Sequence, residues 1–300
     1  MYESLNLQLP SPVTQLHDAL LTEKQIQLYI KRDDLIHPYI QGNKWRKLKH
    51  NIIAAQSQNL NTLLTFGGAY SNHIHATAAA GYYLGLQTIG IIRGEQTLPL
   101  NPTLLDATNW GMTIDYVNRS QYRHKNDPEF INTLKQKFGD FFLIPEGGSN
   151  IHALKGCAEI IDELESSYDY ICSACGTGAT LAGIIQSPAN HSQTLGFAIL
   201  KSKDQIENDI KHLLSKDITK KNNWLINKDY HFGGYAKTTD SLMSFITNFY
   251  TKHTIQLEPV YTGKMMYGLF DLIKNNYFEP GSRILAIHTG GLQGLRGFSQ

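Results

Sequence analysis

Short β-rich runs alternate with helical stretches along most of the chain, and glycines mark many of the junctions. Nothing else in the sequence narrows the possible folds as much. Strands are expected at 26–31, 62–66, 88–93, 113–117, 141–144, 170–174, 194–200 and 283–288. Between them, Asn101-Pro102 and Asp127-Pro128 read as helix caps followed by a first-turn proline. Gly111 and Gly139 stand where those helices should stop. Alternation at this spacing predicts an α/β protein with mainly parallel sheets and ligand loops at the carboxyl ends of strands. A chain of 300 residues suffices for one large domain or two ordinary ones. The stretch 200–223, the most polar and charged, reads as a surface helix plus loop.

Charge is nearly balanced. Lys plus Arg number 27 against 26 Asp plus Glu, which gives no electrostatic basis for a nucleic-acid partner or an anionic membrane. No apolar run approaches the ~20 residues that span a bilayer. The first ten residues lack the basic-then-apolar order of a secretion signal. Three cysteines, an odd number in a long chain, imply no disulfide framework. A cytoplasmic protein is therefore expected. Cys172 and Cys175 form a Cys-x-x-Cys at the end of a hydrophobic strand, without a second pair nearby, and read as buried core residues. His73 and His75 lie two apart on an expected helix and would point away from each other, so no metal site is expected.

Lys44 follows a Gly-Asn turn and opens a helix in which Trp45, Leu48, Ile52 and Ile53 share a face. A helix start presents free N–H groups and a positive dipole end. Both disfavour an ammonium, so a lysine held there becomes a usable nucleophile toward a carbonyl. The plainer alternative is an exposed lysine on a solvated basic face, because Arg46, Lys47 and Lys49 follow; Lys47 is expected to be dispensable.

Gly67-Gly68-Ala69-Tyr70-Ser71-Asn72-His73 joins a strand to a small-residue helix over 76–81. The glycines let a ligand approach the backbone, Ser71 can cap the helix and Asn72 can donate to a phenolate or carboxylate; an ordinary strand–turn–helix junction would read the same. Cys175-Gly176-Thr177-Gly178-Ala179-Thr180 also follows a strand and opens a helix. Its consecutive N–H groups could cradle one phosphate, with Thr177 or Thr180 adding a hydroxyl. It has neither the Gly-Lys-Ser/Thr ending of an ATP loop nor the Gly-x-Gly-x-x-Gly of a dinucleotide loop. Tyr235, in Phe232-Gly233-Gly234-Tyr235-Ala236-Lys237, and Tyr261, in Glu258-Pro259-Val260-Tyr261-Thr262-Gly263-Lys264, each precede a helix. In a chain with 16 tyrosines, packing competes with chemistry as their role. In His288-Thr289-Gly290-Gly291, Thr289 ends a strand where it could meet a ligand's polar edge.

Taken in order, Gly42-Asn43-Lys44, the 67–73 motif, Gly176-Thr177-Gly178, Pro259-Val260-Tyr261-Thr262-Gly263-Lys264 and His288-Thr289-Gly290-Gly291 closely resemble one family. It is the 1-aminocyclopropane-1-carboxylate deaminase / D-cysteine desulfhydrase family of pyridoxal-phosphate enzymes. The resemblance runs from Lys31-Arg32-Asp33-Asp34 to the last strand. It implies the tryptophan synthase β-like fold (PLP fold type II), two open twisted α/β domains with the cofactor in the cleft between them. Residues 45–150 would form the smaller, inserted domain, and 1–44 with 151–300 the larger. Lys44 would bind pyridoxal 5′-phosphate covalently, Asn72 would partner its phenolic oxygen, and Gly176, Thr177, Gly178, Ala179 and Thr180 would hold its phosphate. Ser71 would face the substrate carboxylate or act on the substrate, with Asn72 and His73 beside it. Tyr261 would lie against the ring, Tyr235 would line the substrate side, and Thr289 would bond the ring nitrogen. The implied partners are a small amino-acid substrate and a second copy in a homodimer.

Two positions depart from the family pattern. The deaminase branch has a glutamate directly after the tyrosine of Pro-Val-Tyr, where this chain has Thr262. A carboxylate near the ring nitrogen keeps the ring protonated and strengthens it as an electron sink, which opening an unactivated cyclopropane should need. A neutral threonine suits β-elimination of a good leaving group. The expected reaction is therefore D-cysteine desulfhydrase-like, giving pyruvate, ammonia and sulfide. The alternatives are deamination of 1-aminocyclopropane-1-carboxylate or another small D-amino acid, and a non-catalytic α/β protein that holds a phosphorylated ligand. His75 stands where longer members have an arginine, and is expected to shift the pocket wall.

Overall fold

The apolar runs fold as strands, and the structure, a computed structural model describing residues 3–201, 204–215, 218 and 223–298, sorts them into two sheets. The strands are β1 (Val13–Gln15), β2 (Gln27–Lys31), β3 (Thr62–Gly67), β4 (Gln87–Arg93), β5 (Thr113–Val117), β6 (Phe142–Ile144), β7 (Tyr170–Cys175), β8 (Gln193–Ala198), β9 (Trp224–Asn227) and β10 (Arg283–Ile287). The helices are α1 (Ala19–Glu23), α2 (Asn43–Ser57), α3 (Asn72–Leu84), α4 (Pro102–Asn109), α5 (Arg119–Arg123), α6 (Pro128–Phe138), α7 (Ile151–Asp162), α8 (Ala179–Gln186), α9 (Gln205–Leu213), α10 (Asp240–His253) and α11 (Thr262–Lys274). Among the described residues, one sheet has the order β1-β2-β10-β7-β8-β9 and the other β5-β4-β3-β6. All pairings are parallel except β1 with β2. Strand β10 lies between β2 and β7, with Leu285 opposite both Tyr29 and Ile171.

Each expected strand is present within a residue or two. The run expected to reach residue 200 stops at Ala198, and Ile199 and Leu200 turn out of the sheet. Strands β1 and β9 were not expected. The first is wholly exposed and the second largely accessible, and both sit at sheet edges where no apolar run is needed. Within 200–223 the described part contains α9, which buries Ile206 and Ile210; residues 202–203, 216–217 and 219–222 lie outside the described residues. Asn101 caps α4 by accepting from the N–H groups of Thr103 and Leu104. Asp127 precedes Pro128 as expected, yet its carboxylate bonds His124 rather than the start of α6.

Helices α10 and α11 bury Leu242, Ile246, Met265 and Leu269 against Leu28, Ile30 and Ile284 on one face of the larger sheet. Helices α7 and α8 cover the other face. Each large aliphatic side chain so buried contributes about 1.5–3 kcal/mol. Helix α2 packs Trp45, Leu48 and Ile52 against Leu63, Ala76 and Phe142 of the smaller layer, while Ile53 is 39% exposed, so its apolar face is narrower than expected. Its opposite side meets α7 at Gly156, where a Cβ would lie 1.9 Å from the Arg46 carbonyl oxygen.

The basic run of α2 is not a solvated face. Arg46 is fully buried and donates to Asp33 at 2.9 and 3.1 Å and to Glu163 at 2.8 Å, while Lys31 Nζ reaches Glu163 at 2.7 Å. Burial raises the Glu163 pKa, but hydrogen bonds and charge from Arg46 and Lys31 outweigh it and hold the carboxyl below its ordinary value. Cys157, Cys172 and Cys175 are free and buried, with thiol pKa values pushed up by burial. No helix among the described residues is long and apolar enough to cross a membrane.

Candidate active site

The loops that follow β3 and β7, the start of α2 and the two tyrosine segments enclose a cavity of about 530 Å³. Its floor depends on Gly42. This residue caps α2 at φ +56°, and a Cβ there would lie 2.1 Å from the Thr289 carbonyl oxygen, so the close approach requires glycine. The same carbonyl accepts from Asn43 N–H at 3.2 Å. The end of β10 thus holds the first turn of α2 and, with it, Lys44. Lys44 lines the cavity and stays partly accessible. Burial, followed by the nearby Lys47 ammonium, drives its pKa well below 10.5. The helix start is where the sequence put it, but low solvation and a like charge are the larger causes of the shift.

Lys47 does not lie on the exposed basic face of the plainer reading. It is buried, lines the cavity, and donates to Gly147 O at 3.2 Å while lying 3.5 Å from Thr177 Oγ1. No carboxylate among the described residues forms an ion pair with it. Opposite it, Gly178 enters α8 in the left-handed region at φ +78° and offers no side-chain cap, which leaves the first-turn N–H groups for a ligand. A side chain at Gly176 would come within 3.1 Å of the Tyr261 ring. Thr180 Oγ1 accepts from Asn43 Nδ2 at 3.0 Å, tying the loop to the start of α2.

Ser71 caps α3, its Oγ accepting from the N–H groups of His73 and Ile74 at 3.2 and 3.3 Å, which leaves its own proton for the cavity. Asn72 also lines the cavity, and its Oδ1 accepts from Gln293 Nε2. His73 is 1% exposed with neither ring nitrogen partnered; burial, then Lys44 and Lys47, keep it neutral by lowering its pKa well below 6.5. Tyr235 and Tyr261 face each other edge-on with ring centroids 6.3 Å apart. Burial raises both phenol pKa values, and the neighbouring Tyr235 and Glu258 raise that of Tyr261 further. Lys264 Nζ donates to His231 O and Gly234 O at 2.9 and 2.7 Å and anchors the loop that carries Tyr235.

The structure thus brings together Lys44, Ser71, Asn72, His73, Gly176, Thr177, Gly178, Thr180, Tyr235 and Tyr261. Ala179 and Thr289 are not on the cavity wall: Ala179 packs into the core, and Thr289 acts on the site through its carbonyl. Two other expectations need correction. Thr262 is buried off the wall, its hydroxyl donating to Glu258 Oε1 at 3.1 Å; Glu258 also accepts from the N–H groups of Val260, Tyr261 and Thr262 and so caps α11. His75 does not form the pocket wall but lies 3.1 Å from Asp106 Oδ2, edge-on to Trp110. Asn43, Lys47, Arg93, Glu146 and Gly147 line the cavity without having been singled out. Lys47 could have been found from its i+3 spacing to Lys44 on one helix face, and Gly147 from the Gly-Gly pair that closes another strand.

A lysine amine of lowered pKa, an uncapped helix start and, among the described residues, a buried lysine without a carboxylate partner and two imidazole nitrogens without a partner fit a phosphorylated carbonyl cofactor. The family model "Pyridoxal-phosphate dependent enzyme" matches residues 7–290. The Arabidopsis thaliana "Bifunctional D-cysteine desulfhydrase/1-aminocyclopropane-1-carboxylate deaminase" is 32% identical over 299 residues, covering 90% of this chain and 73% of the relative. The crystal structure of a 1-aminocyclopropane-1-carboxylate deaminase homologue superposes with a TM-score of 0.80 at 31% identity, covering 96% of this chain and 91% of its own. A hydrogen sulfide-producing enzyme from Fusobacterium nucleatum shares the fold at 14% identity and a TM-score of 0.70, covering 98% of this chain and 99% of its own. With two sheets, a cleft that holds the ordered motifs and these matches, the chain belongs to the pyridoxal-phosphate-dependent enzymes of tryptophan synthase β-like fold, within the 1-aminocyclopropane-1-carboxylate deaminase / D-cysteine desulfhydrase family.

Proposed function

We propose that the protein is a lyase that deaminates D-cysteine by β-elimination, releasing pyruvate, ammonia and sulfide. One observation carries the choice of reaction: the position directly after Tyr261 holds a neutral side chain. Thr262 occupies the next position, and Glu258 is bound by three backbone N–H groups and the Thr262 hydroxyl. Bound pyridoxal phosphate supplies a carbonyl that captures the substrate amine and a ring that accepts charge from Cα. Lys44 would hold the cofactor and would take the Cα proton, its neutral amine favoured by burial and by Lys47. The N–H groups of 176–180 and the Lys47 ammonium hold the phosphate.

Asn72 donates to the phenolic oxygen, Ser71 and His73 at the start of α3 receive the substrate carboxylate, and Thr289 supports the site through the carbonyl that holds Asn43. Sulfide leaves on the Tyr235 side as the Cβ–S bond breaks, and the released enamine hydrolyses to pyruvate and ammonia. Residues 45–150 are read as the smaller domain, a division supported by strands β3–β6 all falling inside it and the other six outside. A homodimer in the cytoplasm is the assembly this reading takes. Deamination of 1-aminocyclopropane-1-carboxylate is the second reading, supported by the double name of the Arabidopsis relative. The deciding assay measures sulfide and pyruvate from D-cysteine against 2-oxobutanoate from the cyclopropane. Efficient turnover of the cyclopropane alone would reverse the assignment.

A further inference from the structure

We propose that Gln293 is a positioning residue for the cofactor: it fixes the Asn72 side-chain amide so that the NH2 group, not the oxygen, is presented to the cavity. The inference rests on the reading in which Asn72 meets the cofactor's phenolic oxygen. An amide can in principle sit either way round, and only its partners decide which end points where. Here the partners form a chain with one permitted polarity. Arg296 Nη2 lies 3.5 Å from Gln293 Oε1, and a guanidinium has no acceptor, so the oxygen of Gln293 must be the end that faces it. Thr103 Oγ1 donates to the same oxygen at 2.8 Å. The nitrogen of Gln293 then faces Asn72 and donates to its Oδ1 at 2.5 Å. With its oxygen turned to Gln293, Asn72 has its NH2 group as the free donor for a ligand. Neither amide can reverse without setting two donors against each other.

The chain is anchored at its far end. Arg296 Nη2 donates to Asp106 Oδ2 at 2.6 Å, and Asp106 and Thr103 both belong to α4. The turn Leu292–Gly297, which follows β10, therefore grips α4 with one side and aims a residue of α3 with the other. A donor aimed at a phenolic oxygen stabilises its anionic form. Its loss should weaken cofactor binding and keep a proton at the site to higher pH.

The test uses cofactor binding rather than turnover, so it is independent of which amino acid is the substrate. Apoenzyme of each variant is titrated with pyridoxal phosphate, and the pH midpoint of the bound chromophore's visible band is recorded. Gln293→Glu keeps the shape but offers only acceptors, so Asn72 must turn its NH2 group away from the cavity. Its dissociation constant should rise about ten-fold and its midpoint should move up. Gln293→Met, which leaves Asn72 free to turn, should show a smaller change in the same direction. In an Asn72→Ala background neither Gln293 change should add anything further. Equal effects of Gln293→Glu with and without Asn72, or wild-type affinity and midpoint in Gln293→Glu, would overturn the proposal. An Asn72→Ala enzyme with unchanged band and affinity would remove the underlying reading of Asn72, and the proposal with it, while leaving the reaction assignment to the substrate assay.

Discussion

Lys44 and Lys47 are three residues apart on one helix and share a cavity, and burial lowers both amine pKa values, that of Lys44 further. Lys44→Ala should lose the ~420 nm absorbance that borohydride abolishes in a lysine-bound cofactor, together with all turnover. Lys47→Ala should still form the band, but with weaker cofactor affinity because the phosphate loses its buried counter-charge. The pH profile of cofactor attachment to apoprotein tests their coupling. Attachment needs a neutral amine, and the Lys44 pKa is lowered first by burial and then by Lys47. The wild-type rate should therefore level off well below pH 10.5. Removing the Lys47 charge raises the Lys44 pKa, so the plateau should move to higher pH in Lys47→Ala. A profile that stays in place would show that the two ammoniums do not influence each other.

Elements approach one another most closely where glycine permits it, and α2 against α7 is the sharpest case. A Cβ at Gly156 would meet a backbone oxygen at 1.9 Å, which no rotamer change can relieve. Gly156→Ala should therefore cost about 1–3 kcal/mol or more, read as a lower denaturant midpoint with unchanged slope, and should reduce cofactor affinity because α2 carries Lys44. The central strands and the caps at Asn101 and Ser71 were legible in the sequence, since a strand buried on both faces must be apolar and a cap must be a short polar residue. The edge strands β1 and β9 carry no such demand and left no signal. Four cations following Asn43 read as a solvated face because the carboxylates that bury Arg46, Asp33 and Glu163, lie elsewhere in the chain. Thr262 was tied to the ring nitrogen, and His75 to the pocket wall, by motif position alone. Their partners Glu258 and Asp106, which draw them away, become visible only in three dimensions.

At the scale of the whole molecule, the Arg46–Asp33–Glu163–Lys31 cluster ties β2, α2 and α7 into one unit. Arg46→Met should cost about 3–5 kcal/mol, because it leaves Asp33 buried without its cation. Glu163 also makes the fold acid-sensitive. Its folded pKa is depressed, so its contribution is present above the ordinary 4.5 and is lost as pH falls through the folded value. Unfolding midpoints followed downward from pH 6 should show this loss in the wild type and a smaller one in Arg46→Met. The position of β10 has a further consequence, for the order of events as the chain is made. Its neighbours in the sheet are β2 and β7, both made before it, and the carbonyl just beyond its end holds the turn that carries Lys44. A nascent chain can complete the smaller sheet on the ribosome, but until residue 289 has emerged Lys44 lacks this anchor. A chain that stops short of residue 289 should therefore take up pyridoxal phosphate more weakly than one that includes it.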